Sequence, residues 1–489
     1  MSTEQTLDPK DWAELRRLGH RMVDDALDYL EHVRERPVWK PVPDSLKQAM
    51  RAPLPMEPTD AALVYEEFRR DVFQHNMGNI HPRFWGWVIG TGTGFGALAD
   101  LMASTMNPNI GGGDQGPNYV ELQTLSWLKE MVGFPAEASG LLVSGGSMAN
   151  LVGIAVARNA KAPSDVAQQG LQGATRRMVL YASSETHNSV HKAMSLLGLG
   201  RDAIRSIPVD SEYRIQVPEL RRAIAADRAA GLHPFCVVGN AGTVNTGAID
   251  PLPELADLCQ SEDLWFHVDG AFGALAKIAP ELRPLVRGME RADSLAFDLH
   301  KWLYVNYEVG CALVRWPEKH RATFVSPADY LAHLSRGMPA GPIWFSEFGV
   351  QLSRGFRALK VWMSIKENGV KNYGRLVAQN CDQAKYLAGL VEKEPELQMM
   401  APVPLNIACF RFAPQGLDDS SADRINEEIL YGLQESGTAV PSSTMLRGRF
   451  SLRVCICNHR TRREDLDLLV REVLERGRAA IGTVEVPAP

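Results

Sequence analysis

The sequence predicts an α/β fold with a mostly parallel central sheet and helices on both of its faces. Between about Asn79 and Arg315, short apolar runs alternate with stretches of helical spacing. These runs are apolar on both faces, as expected of parallel strands buried between two layers of helices. The chain of 489 residues is long enough for such a body together with smaller appended regions.

The N-terminal region, residues 1–78, predicts a helical arm. Residues 10–34 carry apolar side chains at helical spacing, from Trp12 to Val33. A proline-rich connector follows at residues 36–58, and its prolines prevent a continuous regular helix. We expect this region to lie along another surface, in particular that of a partner subunit.

The sequence predicts that residues 79–370 form the large α/β domain. Its expected strands are residues 140–144, 177–183, 235–241, 264–269, 294–298 and 310–315. Helical stretches at residues 147–160 and 217–231 supply crossover connections between parallel strands.

The pattern changes at about Lys371, and residues 371–489 predict a smaller α+β domain. A helix at 373–394 precedes two strands, "NIACFRFA" and "FSLRVCICN", and a last helix is expected at 463–477.

Composition excludes several classes of function. The net charge is −6, whereas a nucleic-acid-binding protein usually carries a basic surplus. The first twenty residues lack the apolar core of a secretory signal, and no apolar run is long enough to span a membrane. Seven scattered cysteines include no CxxC pair, so we expect reduced thiols, no metal site and a cytoplasmic protein.

The stretch "LLVSGGSMAN" predicts a strand, a glycine turn and the start of a helix. Gly146 and Ser147 would present backbone N–H groups at the helix N-terminus, where the helix dipole favours an anion. The turn matches neither a dinucleotide fingerprint nor a nucleoside-triphosphate loop, so it indicates a single phosphate monoester. A purely structural tight turn is the alternative for this motif taken alone.

Three further side chains follow predicted strands. Asp269 ends "LWFHVD", where an α/β sheet directs side chains into a ligand crevice, although a helix cap or a metal ligand would fit too. His187 follows "MVLYASSET" and by itself is as compatible with a structural role. Lys301 follows "SLAFD"; alone, it could be a strand-end lysine whose ammonium reaches water.

Together these groups predict a site for pyridoxal 5'-phosphate. The lysine can form a Schiff base with the cofactor aldehyde, and the carboxylate can keep the pyridine nitrogen protonated. The imidazole can stack on the ring, and the glycine turn can hold the phosphate. Each group is expected at the carboxyl edge of the sheet.

The chain resembles the group II pyridoxal-phosphate decarboxylases, the family of aromatic L-amino acid and glutamate decarboxylases, and in particular the bacterial aromatic decarboxylases of tryptophan type. The matching stretches are "HPRFWGW" (81–87), "VSGGSMAN" (143–150), "SSETHNSV" (183–190), "AGTVNTGAIDPL" (241–252), "WFHVDGAFGA" (265–274), "DLHKWLYV" (298–305), "SPADYL" (326–331) and "RGFRALKVW" (354–362). The resemblance spans about residues 10–475 and implies fold type I with an N-terminal arm and a small C-terminal domain.

The resemblance also implies the roles of single residues. Lys301 would carry the cofactor, Asp269 would pair with the pyridinium, and His187 would stack on the ring. On the phosphate side it implies Gly146, Ser147 and His300, and it places Thr243 and Asp298 close to the cofactor. Tyr330 matches the family's catalytic tyrosine in a mobile loop, as the group that protonates the substrate Cα after carbon dioxide leaves.

The implied activity is decarboxylation of an L-amino acid to its amine, in a homodimer whose active sites lie at the subunit interface. We expect an aromatic substrate, and Phe84, Trp85 and Trp87 offer aromatic surface unless they pack in the core. The glycine-rich stretch at residues 107–117 departs from the bulkier apolar segment of the animal enzymes, so their substrate pocket does not transfer. Two alternatives stay open: another pyridoxal-phosphate reaction, such as oxidative deamination to an aldehyde, and an inactive scaffold.

Overall fold

The structure is a computed structural model that describes residues 4–172, 176–325 and 334–481. Within these residues, twelve strands form two sheets. The strands are β1 (Phe84–Trp85), β2 (Ser139–Val143), β3 (Met178–Ser183), β4 (Ile204–Ile207), β5 (His233–Asn240), β6 (Trp265–Asp269), β7 (Ser294–Asp298), β8 (Gly310–Val314), β9 (Leu397–Met399), β10 (Ile407–Phe412), β11 (Val440–Leu446) and β12 (Arg449–Cys455).

Helices surround both sheets. They are α1 (Trp12–Glu31), α2 (Asp44–Ala49), α3 (Ala61–Glu67), α4 (Gly94–Met106), α5 (Gly116–Val132), α6 (Gly146–Lys161), α7 (Val166–Gln169), α8 (Asn188–Leu196), α9 (Val217–Ala229), α10 (Leu252–Ser261), α11 (Leu299–Trp302), α12 (Pro317–Phe324), α13 (Arg357–Asn368), α14 (Val370–Val391), α15 (Asp419–Glu435) and α16 (Arg463–Ile481).

The larger sheet has the order β2-β8-β7-β6-β5-β3-β4. The strands from β7 to β4 run parallel, and β8 is antiparallel to both of its neighbours. All six strands expected in this region are present, and the α/β fold class with a mostly parallel sheet is confirmed. β4 has no predicted counterpart because it is a short edge strand with only one buried residue, Ile207.

Strand β8 brings two distant parts of the chain together. Gly310 is the register partner of Val143 on one side and of Asp298 on the other. The glycine turn that follows β2 therefore lies beside the end of β7, which leads directly into the helical turn α11.

The smaller sheet has the order β1-β11-β12-β10-β9. The expected strands near residues 407 and 450 are its centre, and α14, α15 and α16 cover them with a separate apolar cluster. β1 comes from far upstream: Phe84 and Trp85 pair in parallel with Val440 and Pro441 of β11. Trp85 is fully buried in the apolar cluster of this sheet.

The N-terminal helix is amphipathic but lies on the surface. α1 begins at its cap, Asp11, whose carboxylate accepts the backbone N–H of Ala13, and none of its residues is buried. The proline-rich connector contains only one short helix, α2, as expected from its prolines.

A buried ion pair links three segments near the sheet. The guanidinium of Arg354 lies 2.6 Å from Glu121 of α5, and both side chains are almost completely buried. Arg354 also donates to the carbonyl oxygens of Ile110 and Leu142. Because a buried charge is costly without partners, these contacts fix the glycine-rich segment against the strand that leads to the glycine turn.

Candidate active site

The glycine turn opens α6 as the sequence predicts. Gly145 precedes the helix and, having no side chain, cannot cap it. Its carbonyl accepts the N–H groups of Met148 and Ala149, whereas the N–H groups of Gly146 and Ser147 have no acceptor inside the helix. These two groups can receive an anion.

A cavity of about 290 Å³ lies at this end of the sheet. Six of the predicted site residues line it, namely Gly146, Ser147, His187, Asp298, His300 and Lys301. The other lining residues are Ser144, Gly145, Met148, Asn150, Ser189 and Ala271. Residues predicted from separate motifs thus meet at one place.

Lys301 is held by the carboxylate at the end of β7. Its Nζ lies 2.8 Å from Oδ2 of Asp298, three residues earlier, and its side chain is 18 % exposed. Burial opposes the ammonium charge, but the carboxylates of Asp298 and, more distantly, Asp269 outweigh it, so the pKa of Lys301 lies above its usual value.

Asp298 and His300 line the cavity beside the glycine turn. His300 Nε2 lies 3.8 Å from Asp298 Oδ2, and its Nδ1 lies 2.9 Å from the carbonyl oxygen of Val309. Burial lowers the pKa of His300, although Asp298 partly opposes this. Oδ1 of Asp298 is buried and has no hydrogen-bond partner among the described residues.

Asp269 lies directly behind the cavity. Its Oδ2 accepts a hydrogen bond of 2.8 Å from the amide of Asn150, and its Oδ1 accepts the backbone N–H of Ala271 at 3.1 Å. Both donors line the cavity. The carboxylate is therefore oriented at the end of β6, as the strand-end position predicted.

His187 caps α8 and faces the same cavity. Its Nδ1 accepts the backbone N–H of Ser189 at 3.2 Å and lies 2.8 Å from the hydroxyl of that residue. Burial lowers the pKa of His187, while the charge of Asp269 opposes the shift. A neutral imidazole with its proton on Nε2 follows, because Nδ1 acts as the acceptor.

Of the predicted residues that the structure describes, Asp269 and Thr243 do not line the cavity. Thr243 is buried in the loop after β5, where its hydroxyl accepts the N–H of Ala248 at 3.1 Å and lies 3.1 Å from the hydroxyl of Thr246. Tyr330 falls within residues 326–333, outside the described residues, together with the "SPADYL" motif.

Two of the three aromatic residues are buried, and the glycine-rich segment is bonded to a later part of the chain. Phe84 and Trp85 are buried in the core, whereas Trp87 is 57 % exposed. Backbone hydrogen bonds join the glycine-rich segment to the chain after residue 334: Asp114 donates to the carbonyl of Met338, and Ser346 donates to that of Gly111. Of the three aromatic residues, only Trp87 offers exposed aromatic surface.

Comparison with known proteins identifies the family. Residues 43–413 match the model described as the pyridoxal-dependent decarboxylase conserved domain. This chain belongs to the pyridoxal-dependent decarboxylase family. It is an amino acid decarboxylase, a carboxy-lyase that uses pyridoxal 5'-phosphate, and the predicted family and cofactor are confirmed.

Three relatives illustrate the match of this decarboxylase. The aromatic-L-amino-acid decarboxylase of Bacillus atrophaeus is 37 % identical, with 93 % of each chain covered. The phenylacetaldehyde synthase of Petunia hybrida is 26 % identical over 93 % of this chain and 92 % of its own. A crystal structure of Oryza sativa TDC with PLP and tryptamine superposes with a TM-score of 0.90 and 27 % identity, covering 97 % of this chain and all of that one.

The cavity residues of this decarboxylase fit the cofactor. Asp298 retains an unpaired oxygen that can accept a further hydrogen bond, and the glycine turn offers free N–H groups for a phosphate. A Cβ atom at Gly146 would lie 2.8 Å from Asp298 Oδ2, so a larger residue there would fill the cradle. Lys301, the lysine that lines the cavity, can react with an aldehyde.

Sequence reasoning missed Asn150 and Ser189, which contact Asp269 and His187 respectively, and His267, which contacts Asn150. Asn150 lies inside the motif "VSGGSMAN", one turn after the glycines, so helical spacing could have placed it at the site. Its acceptor Asp269 lies 119 residues later, and no local pattern connects the two.

The ion pair between Asp298 and Lys301 makes a prediction for the protein without cofactor. Asp298→Asn removes the main charge that opposes burial, so the pKa of Lys301 falls and its amine becomes neutral, and therefore reactive, at lower pH. The measurement is carbamylation of Lys301 by cyanate as a function of pH, followed by mass spectrometry.

The control is Asp100→Asn, which removes a carboxylate 3.1 Å from another buried lysine, Lys360, and should leave the profile of Lys301 unchanged.

The raised pKa of Lys301 also makes the stability of the folded protein depend on pH. A raised pKa means that Lys301 stabilises the folded state below its unfolded pKa of about 10.4, and that this contribution is lost as pH rises through the folded value. An identical profile in Asp298→Asn would contradict the role of this carboxylate.

Proposed function

We propose that this protein decarboxylates an aromatic L-amino acid to the corresponding amine and carbon dioxide. The observation that carries the proposal is the meeting of Lys301, Asp298 and the free N–H groups of the glycine turn in one cavity. Aromatic specificity is supported by the 37 % identical relative, which is named for aromatic L-amino acids, and by the similar structure solved with tryptamine.

When bound, pyridoxal phosphate supplies an electron-withdrawing ring that accepts the electron pair released as the carboxylate leaves. The residues of this chain would share the remaining tasks. Lys301 would attach the aldehyde, and Gly146, Ser147 and His300 would hold the phosphate. Asp269 would pair with the ring nitrogen, and His187 would cover the ring.

We propose that Tyr330 delivers the proton that Cα needs after carbon dioxide has left. A tyrosine has a usual pKa of about 10, so it holds its proton at neutral pH and can donate it. Thr243 would act near the cofactor only through its loop, because its hydroxyl is used within the turn.

We further propose a cytoplasmic homodimer in which residues 1–78 form the dimerisation arm, 79–370 the cofactor domain and 371–489 the small domain. Large apolar side chains are exposed on two helices near the N-terminus, and such surfaces are typical of interfaces. They are Trp12, Leu15, Met22 and Leu27 on α1 and Phe95, Leu98, Leu101, Met102 and Met106 on α4. The seven cysteines are free and buried, which supports a reducing compartment.

The structure contains no membrane-spanning candidate: in the described ranges, every helix is too short or too polar to cross a bilayer. Those ranges also contain no cluster of three or more side chains able to hold a metal ion.

Attachment of the cofactor to Lys301 is tested by borohydride reduction. Reduction of the wild-type holoenzyme should leave the cofactor on the peptide that contains Lys301. Lys301→Ala and Lys301→Arg should lose this adduct and nearly all release of carbon dioxide, since neither side chain replaces the amine. Lys301→Arg is the matched variant because it retains a cation beside Asp298.

Substrate class is read from carbon dioxide release across the L-amino acids, and tryptophan, tyrosine or phenylalanine should give the highest kcat/KM. The proposed class is wrong if glutamate or another acidic amino acid is preferred. In the borohydride experiment, finding the reduced cofactor adduct on another lysine would reject Lys301 as the attachment point.

Tyr330→Phe tests the proton donor. Removal of the hydroxyl should preserve cofactor binding and carbon dioxide loss, but protonation of Cα should slow. Oxygen can then oxidise the substrate carbon, giving aldehyde, ammonia and peroxide in place of amine. The measurement is the ratio of amine to aldehyde formed in air by both proteins. If that ratio and the rate of amine formation do not change, another group donates the proton.

Assembly is tested by sedimentation. Deletion of residues 1–58 should give a monomer with little activity, and Leu15→Glu should weaken the dimer because it places a charge on the apolar face of α1. Met445→Glu is the control, since this exposed side chain lies on β11 and belongs to neither helix. A fully active monomer after the deletion would rule out the arm as a dimerisation element.

A further inference from the structure

A buried chain of hydrogen bonds ends on the carboxylate behind the cavity. Trp265 Nε1 donates to Ser294 Oγ, which lies 2.8 Å from Nδ1 of His267. Nε2 of His267 lies 2.8 Å from Oδ1 of Asn150, and the amide of Asn150 donates to Asp269 at 2.8 Å. All five side chains are buried.

The groups at the two ends of this hydrogen-bond chain determine the direction of every bond in it. The indole of Trp265 can only donate, so the hydroxyl hydrogen of Ser294 is free to donate to His267. The amide oxygen of Asn150 can only accept, so His267 carries its proton on Nε2. Burial lowers the pKa of His267 to about 4, which keeps the imidazole neutral. The reverse orientation of Asn150 would place its oxygen against a carboxylate.

The same amide also reaches the histidine of the cavity. Asn150 Nδ2 lies 2.9 Å from the hydroxyl of Ser189, and that hydroxyl lies 2.8 Å from Nδ1 of His187. One side chain therefore contacts Asp269 directly and His187 through Ser189. These are the two residues proposed to contact the ring of the cofactor.

The strand β6 and the helix α6, which carry most of these hydrogen-bonded residues, pack closely together. Trp265, His267 and Asp269 alternate along β6, so their side chains share one face of the strand. Helix α6 packs against that face, and a Cβ atom at Gly153 would lie 2.6 Å from the imidazole of His267. Asn150 lies one helical turn before Gly153, where it bridges the histidine and the carboxylate.

We propose that Asn150 and His267 are positioning residues for decarboxylation: His267 orients the amide of Asn150, and this amide fixes the carboxylate of Asp269 that pairs with the ring nitrogen. The inference rests on the proposed function. The electron-withdrawing power of the ring depends on its protonated nitrogen, which a correctly placed carboxylate stabilises. Without Asn150, the N–H of Ala271 would be the one hydrogen-bond donor left to orient the Asp269 side chain among the described residues.

The central test is Asn150→Leu, which has a similar shape but no N–H groups. Lys301 and the glycine turn are unchanged, so the cofactor should still bind. The visible absorption of the holoenzyme should titrate at a different pH from wild type, because the ring nitrogen loses its oriented partner. We expect kcat to fall by about 10- to 100-fold, as for other groups that orient a functional side chain, with little change in KM.

Two variants of His267 provide a matched pair. His267→Gln places an amide donor near the position of Nε2 and should restore the wild-type spectrum and rate. His267→Asn reaches only the position of Nδ1, cannot donate to Asn150, and should resemble Asn150→Leu. This pair decides the question even if Asn150→Leu does not fold.

A double variant separates positioning from general destabilisation. Because Asn150 acts through Asp269, adding Asn150→Leu to Asp269→Asn should lower kcat no further than Asp269→Asn alone. The control Asn426→Leu removes a buried amide that bonds to Phe412 and Ala422 in the region of the smaller sheet. It should lower thermal stability and leave the absorption titration unchanged.

The outcomes distinguish this inference from the proposed function. If the wild-type protein binds no pyridoxal phosphate or releases no carbon dioxide, the proposed function fails. If wild type does both, the inference is overturned by an unchanged absorption titration in Asn150→Leu, by equal behaviour of His267→Gln and His267→Asn, or by additive losses in the double variant.

Discussion

The carboxylate of Asp298 is the contact on which the geometry of the cavity depends. It lies at the end of β7, almost completely buried, where one oxygen pairs with Lys301 and faces His300. Burying a carboxylate requires compensation, and the lysine supplies it. The adjoining glycine turn can approach only because Gly146 has no side chain. The reactive amine, the phosphate turn and the imidazole are thereby gathered around one charge.

This arrangement places opposing demands on Lys301. A lysine that reacts with an aldehyde must lose its proton, yet the neighbouring carboxylate favours the charged form. Burial acts in the opposite direction and limits the effect. The protein therefore keeps a charged, well-oriented amine in a cavity whose walls would otherwise exclude it, and a bound cofactor that shares Asp298 would change this balance.

Much of the fold could be predicted from local patterns. Apolar runs identified the inner strands because burial on both faces leaves a continuous signal, and strand ends placed Asp269 and Lys301 at one edge of the sheet. Contacts over long distances left no such signal. The bond between Asn150 and Asp269 and the pairing of Phe84 with Val440 depend on how complete elements pack. The edge strand β4 was missed because its partly exposed residues resemble a loop.

Arg453 of β12 connects the last part of the chain to its beginning and its middle. The side chain is buried and donates to the carbonyl oxygens of Trp87, Val244 and Asn245. The loop that contains Thr243 is thus held by a residue more than two hundred positions later. During synthesis on the ribosome, that loop lacks its anchor until the segment around residue 453 has left the exit tunnel. The loop after β5 can therefore reach its final geometry only after the C-terminal part of the chain has emerged and folded against it.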